Sequence, residues 1–424
     1  MKKITILSVC LFNMFATGIF AQQTLVTGSL KPMPDVWIDK ETGHKIVRLT
    51  GPTGNAIKNW YFHNNPFFVA PDGLGDKMVF MDVDSKNVRQ VFALNMKTFK
   101  SDQLTFGPSP KTLASTSAQK THEFIFQAAD SIYAGNPDTK KIRLLYVIEP
   151  GEKVGLSTVT ADATMVAAGS STPEQAAILK QYPAKSDYFN RIYDAHLLNT
   201  ITTFDLRTGV SKKVHEENNW LGHVQFSPVD PDILLFCHEG PWEKVDRIWR
   251  YNIKTEELLL MHKRSMQNEI AGHEFFAPDG KTVWFDLQKP KGKTFFLSGT
   301  NVQSGKSVAT YQMTADEWSI HFAVSPENDF FAGDGGDSTQ VARAKNGQWI
   351  YLFHPEGTKF RSEKLVDMRA HIYREKPQTK GLEPNVHITP DGKWIVFGGN
   401  FEGTIQTYAV EIAKSAKNNL QKGD

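Results

Sequence analysis

Four short stretches carry a polar side chain five residues before a proline: His223 before Pro228, His273 before Pro278, His321 before Pro326 and Asn385 before Pro390. An imidazole can accept a proton near neutral pH or ligate a metal. One polar position recurring in four copies of a unit predicts a ring of side chains around a common axis. At one mouth of a channel such a ring could hold a divalent metal; its histidines could equally bond only to each other, to backbone and to water. His387 lies two residues beyond Asn385, on the same strand face, as Gln225 does beyond His223. His63 sits three residues earlier in its unit. His238-Glu239 directly follows the apolar run Ile233 to Cys237. An acid raises imidazole basicity, so His238 joins His223 as a candidate base, although strand neighbours face opposite ways. His44, His122, His196, His215, His262, His354 and His371 share no register and are expected at the surface. Asp334-Gly335-Gly336-Asp337 could be a metal loop or a plain turn. No nucleophile elbow, phosphate loop or zinc-finger spacing is present.

The elements that would position these residues repeat. Each unit is a proline or its substitute, a polar turn and an apolar strand. It occurs at Pro71, in a degenerate form between Thr116 and Gln127, at Thr160, and at Pro228, Pro278, Pro326 and Pro390. Seven units at spacings of about 45 to 65 residues approach the ~40–50 of propeller blades. The expected fold is all-β: a seven-bladed β-propeller, residues 22–424, as one domain. The strand pair between Val36 and Leu49 precedes the first unit and is expected to complete the last blade, which closes the ring. Two insertions, near 173–198 and 369–382, are long enough to cover a face of the disc.

The start of the chain, Lys2-Lys3 followed by an apolar run to Phe20 and Ala21 before Gln22, reads as a secretory signal over residues 1–21. This predicts a periplasmic protein with no membrane span in its mature chain. The formal charge of +2 falls to about zero once Lys2 and Lys3 are removed. No basic surface suited to nucleic acid is implied. Cys237 then stands alone, so no internal disulfide can form.

Several of these segments resemble the oligogalacturonate lyase family. They are Tyr61-Phe62-His63-Asn64-Asn65, Trp220-Leu221-Gly222-His223, Cys237-His238-Glu239-Gly240-Pro241, Val245-Asp246, Gly272-His273-Glu274-Phe275, Gly333-Asp334-Gly335 and Phe401-Glu402-Gly403, in the same order along the chain. The resemblance implies a seven-bladed propeller that cleaves short pectin fragments by metal-assisted β-elimination, with manganese as the metal. It implies that His273 is a metal ligand. It also exposes departures: Glu383 and Asn385 stand where the family has two further imidazoles, Lys380 where it has a glutamine, and the family's arginine base falls near Thr200.

The resulting expectation is a lyase acting on a uronate-containing oligosaccharide. His223 or His238 would be the base. His273, His321, Glu383 and Asn385 would hold a divalent metal: manganese, with calcium or magnesium as alternatives. His63, Arg247, Lys380 and His387 would contact substrate. A non-catalytic carbohydrate- or protein-binding propeller is the alternative, as is a glycoside hydrolase using paired carboxylates such as Glu239 and Glu383.

Overall fold

A computed structural model describes residues 22–50, 60–71, 73–375 and 380–414. The signal segment, residue 72 and part of the second insertion therefore lie outside the described residues. The chain forms seven blades of antiparallel strands, as the repeat count predicts. Each counted unit is the turn between a blade's innermost strand and its second strand. In blade 4, Leu221–Phe226 pairs with Ile233–His238, then Ile248–Asn252, then Leu258–Leu260. Second strands such as Ile233–His238 are apolar nearly throughout because both faces pack against neighbouring blades. Phe236 is wholly buried with Ile201 and Ala167 of blade 3. Blades 5 and 6 also touch through one parallel bridge, Gln312 to Lys359.

The ring closes as expected. His44–Arg48 pairs antiparallel with Gln406–Lys414 of blade 7, and Val36–Asp39 adds outside it. Polar contacts lock this closure. Buried Arg48 donates to Glu402 Oε2 at 3.0 Å, Met33 N–H donates to the same oxygen at 2.8 Å, and Tyr408 Oη donates to Glu402 Oε1.

One turn device recurs on the face away from the candidate site. Asn95, Asn136, Asp205, Asn252, Asn301 and Asp39 each accept the N–H groups two and three residues ahead. These Asx turns reverse the chain after a third strand and, in blade 7, after Val36–Asp39. With them on one face, the connections between second and third strands fall on the other. The insertion at 173–198 is one of those connections. It forms helices Pro173–Gln181 and Lys185–Ala195, the first opening on a proline at its first turn. Tyr188 and Phe189 pack on Trp220, fixing the helices beside the mouth. Among the described residues no helix is long and apolar enough to cross a membrane.

Asp286, buried in blade 5, accepts hydrogen bonds from Gln288 and Trp318 and pairs with no cation among the described residues. Burial pushes its carboxyl up to about 7 from an ordinary 3.8. The folded form therefore holds a proton that the unfolded chain loses, and stability from this group falls as pH rises from about 4 to about 7. Thermal melts should show Asp286→Asn gaining on the wild type by a few degrees between pH 5 and pH 8. A gap that does not change with pH would refute this.

Candidate active site

The histidine register has a structural cause. In blade 4 the pairing runs Gly222 to Cys237 and then Gln225 to Leu235, so His223 and Val224 together oppose one residue. In blade 5 it runs Gly272 to Asp286 and then Phe275 to Trp284. Each is a β-bulge at the mouth, with the histidine left-handed: φ is 50° at His223 and 51° at His273. Asn385 takes φ 54° just before the innermost strand of blade 7. Such backbone costs about 1–2 kcal/mol for a residue with a Cβ, and strain of this kind gathers at functional sites. The preceding glycines are sterically required. A Cβ on Gly272 would lie 2.4 Å from the Trp242 ring, and one on Gly222 2.9 Å from Glu239. The bulge also breaks the expected alternation: Gln225 turns inward and donates to Glu274 O at 3.1 Å, while His223 stays at the mouth.

Residues 60–64 enter the channel between these histidines. Phe62 stacks on His321 at 4.4 Å and meets His273 edge-on at 6.1 Å. Tyr61 lies against His63, His223 and His321. Burial, followed by Glu383, pushes the Tyr61 phenol far above its ordinary range and keeps it protonated. Asn385 holds the segment: its Oδ1 accepts Phe62 N–H at 3.1 Å while its Nδ2 donates to Glu383 O.

Three buried imidazole nitrogens at the mouth, His63 Nδ1, His273 Nδ1 and His321 Nε2, have no hydrogen-bond partner among the described residues. His321 and Asp334 are wholly buried, and Asp334 Oδ2 lies 2.9 Å from His321 Nδ1. Asp334 therefore fixes the His321 tautomer and leaves Nε2 its lone pair, the usual support for a metal-ligating histidine. Glu383, with half of its side chain exposed, places Oε2 3.8 Å from that nitrogen. Burial, then His321 and Arg247, holds His273 well below its ordinary value and hence neutral, as a ligand must be. Two lone pairs and a carboxylate fit a borderline or hard divalent cation. Asp334→Asn should lower affinity for such a cation by about 10–100-fold, measured by calorimetry; unchanged affinity would remove His321 from the set.

The tightest grouping lies elsewhere. Among the described residues, His223, Cys237 and Glu239 are the one trio of candidate ligands with atoms all within 4.8 Å of one another. A cation is already there, because Arg247 donates to Glu239 at 2.9 Å and to Glu274 at 3.2 Å under the face of Trp242. Burial alone would raise the Glu239 pKa, but Arg247 and His223 outweigh it and hold the acid ionised, well below its ordinary range. Glu239 Oε1 lies 3.1 Å from His223 Nε2. The result is a polar line, His223–Glu239–Arg247–Glu274, ending at a partly exposed imidazole.

His223 opens on a cavity of about 440 Å³ that runs under blades 2 to 4 and the first inserted helix. Comparisons with known proteins agree with this architecture. The family model described as oligogalacturonate lyase matches residues 32–416. The chain belongs to the oligogalacturonate lyase family. It is 25% identical over 396 residues to an oligogalacturonate lyase of Dickeya dadantii, covering 89% of this chain and 95% of that one. It is 23% identical over 391 residues to an oligogalacturonide lyase of Pectobacterium atrosepticum, covering 90% and 96%. The fold is that of the Vibrio parahaemolyticus oligogalacturonate lyase crystal structure: TM-score 0.71, 20% identity, 90% of this chain and 97% of that one. An oligogalacturonate lyase in complex with manganese superposes at TM-score 0.70, with 21% identity, covering 90% and 96%.

Within this family member, not every expected residue reaches the mouth. His223, His273, His321, Asn385 and His63 gather there. His238 does not: it pairs with Glu217 at 2.6 Å and packs on Trp249, because adjacent strand residues face opposite ways. Glu239 consequently pairs with His223 rather than with its neighbour in sequence. Arg247 is spent on two glutamates and cannot also bind a substrate carboxylate. Lys380 is exposed on the second insertion, where its carbonyl accepts from Asn400, and it does not line the cavity. Of the expected metal quartet, His273 and His321 come together with their rings 5.0 Å apart and Glu383 lies beside His321, but the Asn385 amide is committed to Phe62 and Glu383. His387 is buried, bonded to Asn64 O at 2.9 Å and pushed by burial down to about 4. His44 and His371, expected at the surface, are buried and hydrogen-bonded to backbone. Asp334 proves to support His321 rather than to form a loop site. Sequence reasoning overlooked Tyr61, Phe62 and the hydroxyl and amide groups around the cavity. Their one signal was the Tyr61–Asn65 segment within the family resemblance.

Proposed function

We propose that this protein is a periplasmic lyase that cleaves short uronate-containing oligosaccharides by β-elimination, with His223 as the base. The observation that carries the reading is the His223–Glu239 pair, 3.1 Å apart, opening on the cavity beside the partnerless imidazole nitrogens of His273 and His321. Glu239, kept ionised by Arg247, accepts the Nε2 proton of His223 and leaves Nδ1 with the lone pair. That nitrogen takes the C5 proton of the uronate. The C5–H electron pair becomes the C4=C5 double bond, the C4–O4 bond breaks, and the imidazolium returns its proton to O4. His273, His321 and Glu383 would hold a divalent cation, manganese by analogy with the relative's complex; bound there, it would neutralise the uronate carboxylate and the enolate-like charge. Tyr61 and Phe62 wall the site and restrict water.

A glycosidase reading finds less support, because Glu239, paired with Arg247, is held as a carboxylate and the proton would have to come from half-exposed Glu383. The periplasmic placement rests on the Lys2-Lys3 start and the apolar run to Phe20, and cell fractionation tests it. The activity is tested on a panel of uronate oligosaccharides, with manganese or with chelator, by the ultraviolet absorbance of an unsaturated uronate. Absorbance that rises with manganese and vanishes with chelator is expected. No product from any uronate with manganese present would end the reading.

A further inference from the structure

The cavity beside His223 has an unusual lining for a protein whose relatives are named for a polyuronate. Ser115, Ser157, Ser170 and Ser171 supply hydroxyls, and Asn64, Gln175 and Asn199 supply amides. Among the described residues, none of the lining side chains is a lysine, arginine, aspartate or glutamate. The nearby guanidinium of Arg247 is held by Glu239 and Glu274. A second uronate in this space would bring a carboxylate that no cationic side chain of the described wall receives.

The wall is built for hydroxyl groups. Asn64 is only 7% exposed, and its Oδ1 has no hydrogen-bond partner. Its backbone is pinned, since His387 bonds to its carbonyl and its N–H donates to Tyr61 O. An unpaired buried acceptor is unfavourable until a donor arrives, and a sugar hydroxyl is such a donor. Gln175, on the first inserted helix, accepts from Asn199 Nδ2 at 3.3 Å. That bond orients the Gln175 amide and leaves its NH₂ group to donate. The volume of about 440 Å³ lies within the range of small-ligand sites.

We propose that this cavity is the subsite for a neutral sugar ring, so that the bond broken joins the uronate to a neutral sugar rather than to a second uronate. The proposal rests on the elimination reading above. The uronate sits at His223 with its carboxylate toward His273, His321 and Glu383, and the ring attached through O4 occupies the cavity. When C4–O4 breaks, O4 stays with the neutral ring as its anomeric hydroxyl and takes the proton that His223 removed from C5. The uronate keeps the new C4=C5 double bond.

The test is calorimetric titration of manganese-loaded His223→Ala, which binds without turnover. Two disaccharides sharing one uronate are compared, one carrying a neutral sugar on O4 and the other a second uronate. The neutral-capped disaccharide should bind at least ~10-fold more tightly, and Asn64→Ala or Gln175→Ala should weaken it by about 5–10-fold. Because Asn64 is buried and could disturb folding, the exposed Ser170→Arg supplies an independent arm: it should reverse the preference toward the diuronate. Equal or tighter binding of the diuronate by the parent protein, or no binding of either, overturns the proposal. Wild-type turnover separates the two readings. Preference without elimination would remove the lyase reading and leave the subsite, whereas efficient elimination of diuronates without preference would remove the subsite and leave the lyase.

Discussion

His223→Ala should lower the rate of uronate elimination by about 10²–10⁴-fold, the usual loss when a positioned general base is removed. Manganese content should stay unchanged, because His223 lies with Glu239 and the candidate ligands are His273, His321 and Glu383. The backbone at this position is left-handed, and alanine tolerates that no better than histidine does. His223→Asn is therefore the cleaner variant, since asparagine adopts this conformation readily and still offers no base. Both variants should lose turnover, and free imidazole in the buffer should restore part of it to His223→Ala. Glu239→Gln tests the supporting acid: it should lower kcat, because an uncharged amide no longer stabilises the imidazolium formed when His223 takes the C5 proton. Activity of His223→Asn within a few-fold of wild type would end the role assigned to this imidazole.

Arg247→Met should destabilise the fold by roughly 3–5 kcal/mol, the cost of stripping the counter-charge from buried carboxylates. Arg247 is the only described cation donating to both Glu239 and Glu274. In the wild type Glu239 has a depressed pKa, so it contributes stability that is present above the ordinary carboxylate range and lost as pH falls through the folded value. Without Arg247, burial dominates and raises that pKa. The sign then reverses, and the variant should lose stability as pH rises through the carboxylate range. Denaturant melts at pH 5 and pH 8 measure this directly, and Glu239→Gln in the same chain should recover part of the loss. A variant as stable as wild type at both pH values would show that the polar line carries no folding energy.

Much of the architecture was legible because it is periodic. Seven turn-and-strand units imply seven blades, since each apolar second strand must be covered on both faces, and only a closed ring leaves no blade uncovered. The Val36–Leu49 strand pair implied the closure for the same reason: an unpaired apolar strand needs an edge, and blade 7 offers one. The helical start of the 173–198 insertion was visible in Pro173 followed by good helix formers. The common position of His223 and His273 was visible too, through their fixed distance from the unit proline.

Partner choice was not legible. Strict alternation would put His223 and Gln225 on one face, but the bulge inserts a residue, and only cross-strand pairing shows it. His238 and Glu239 are adjacent in sequence yet serve opposite sides of a strand, so Glu239 meets His223 from the neighbouring strand while His238 meets Glu217 of blade 3. Arg247 looked available because sequence does not show that Glu239 and Glu274 converge on it. Tyr61 and Phe62 carry no register with the repeats; they reach the channel because the chain enters blade 1 across its mouth. The sequence alone determined the blade count, the strand that closes the ring and the polar position that recurs at the mouth, because periodic burial is a local property of the chain. The tertiary structure decided which acid serves which histidine and which side chains line the cavity, because those contacts join residues from different blades whose approach no local pattern records.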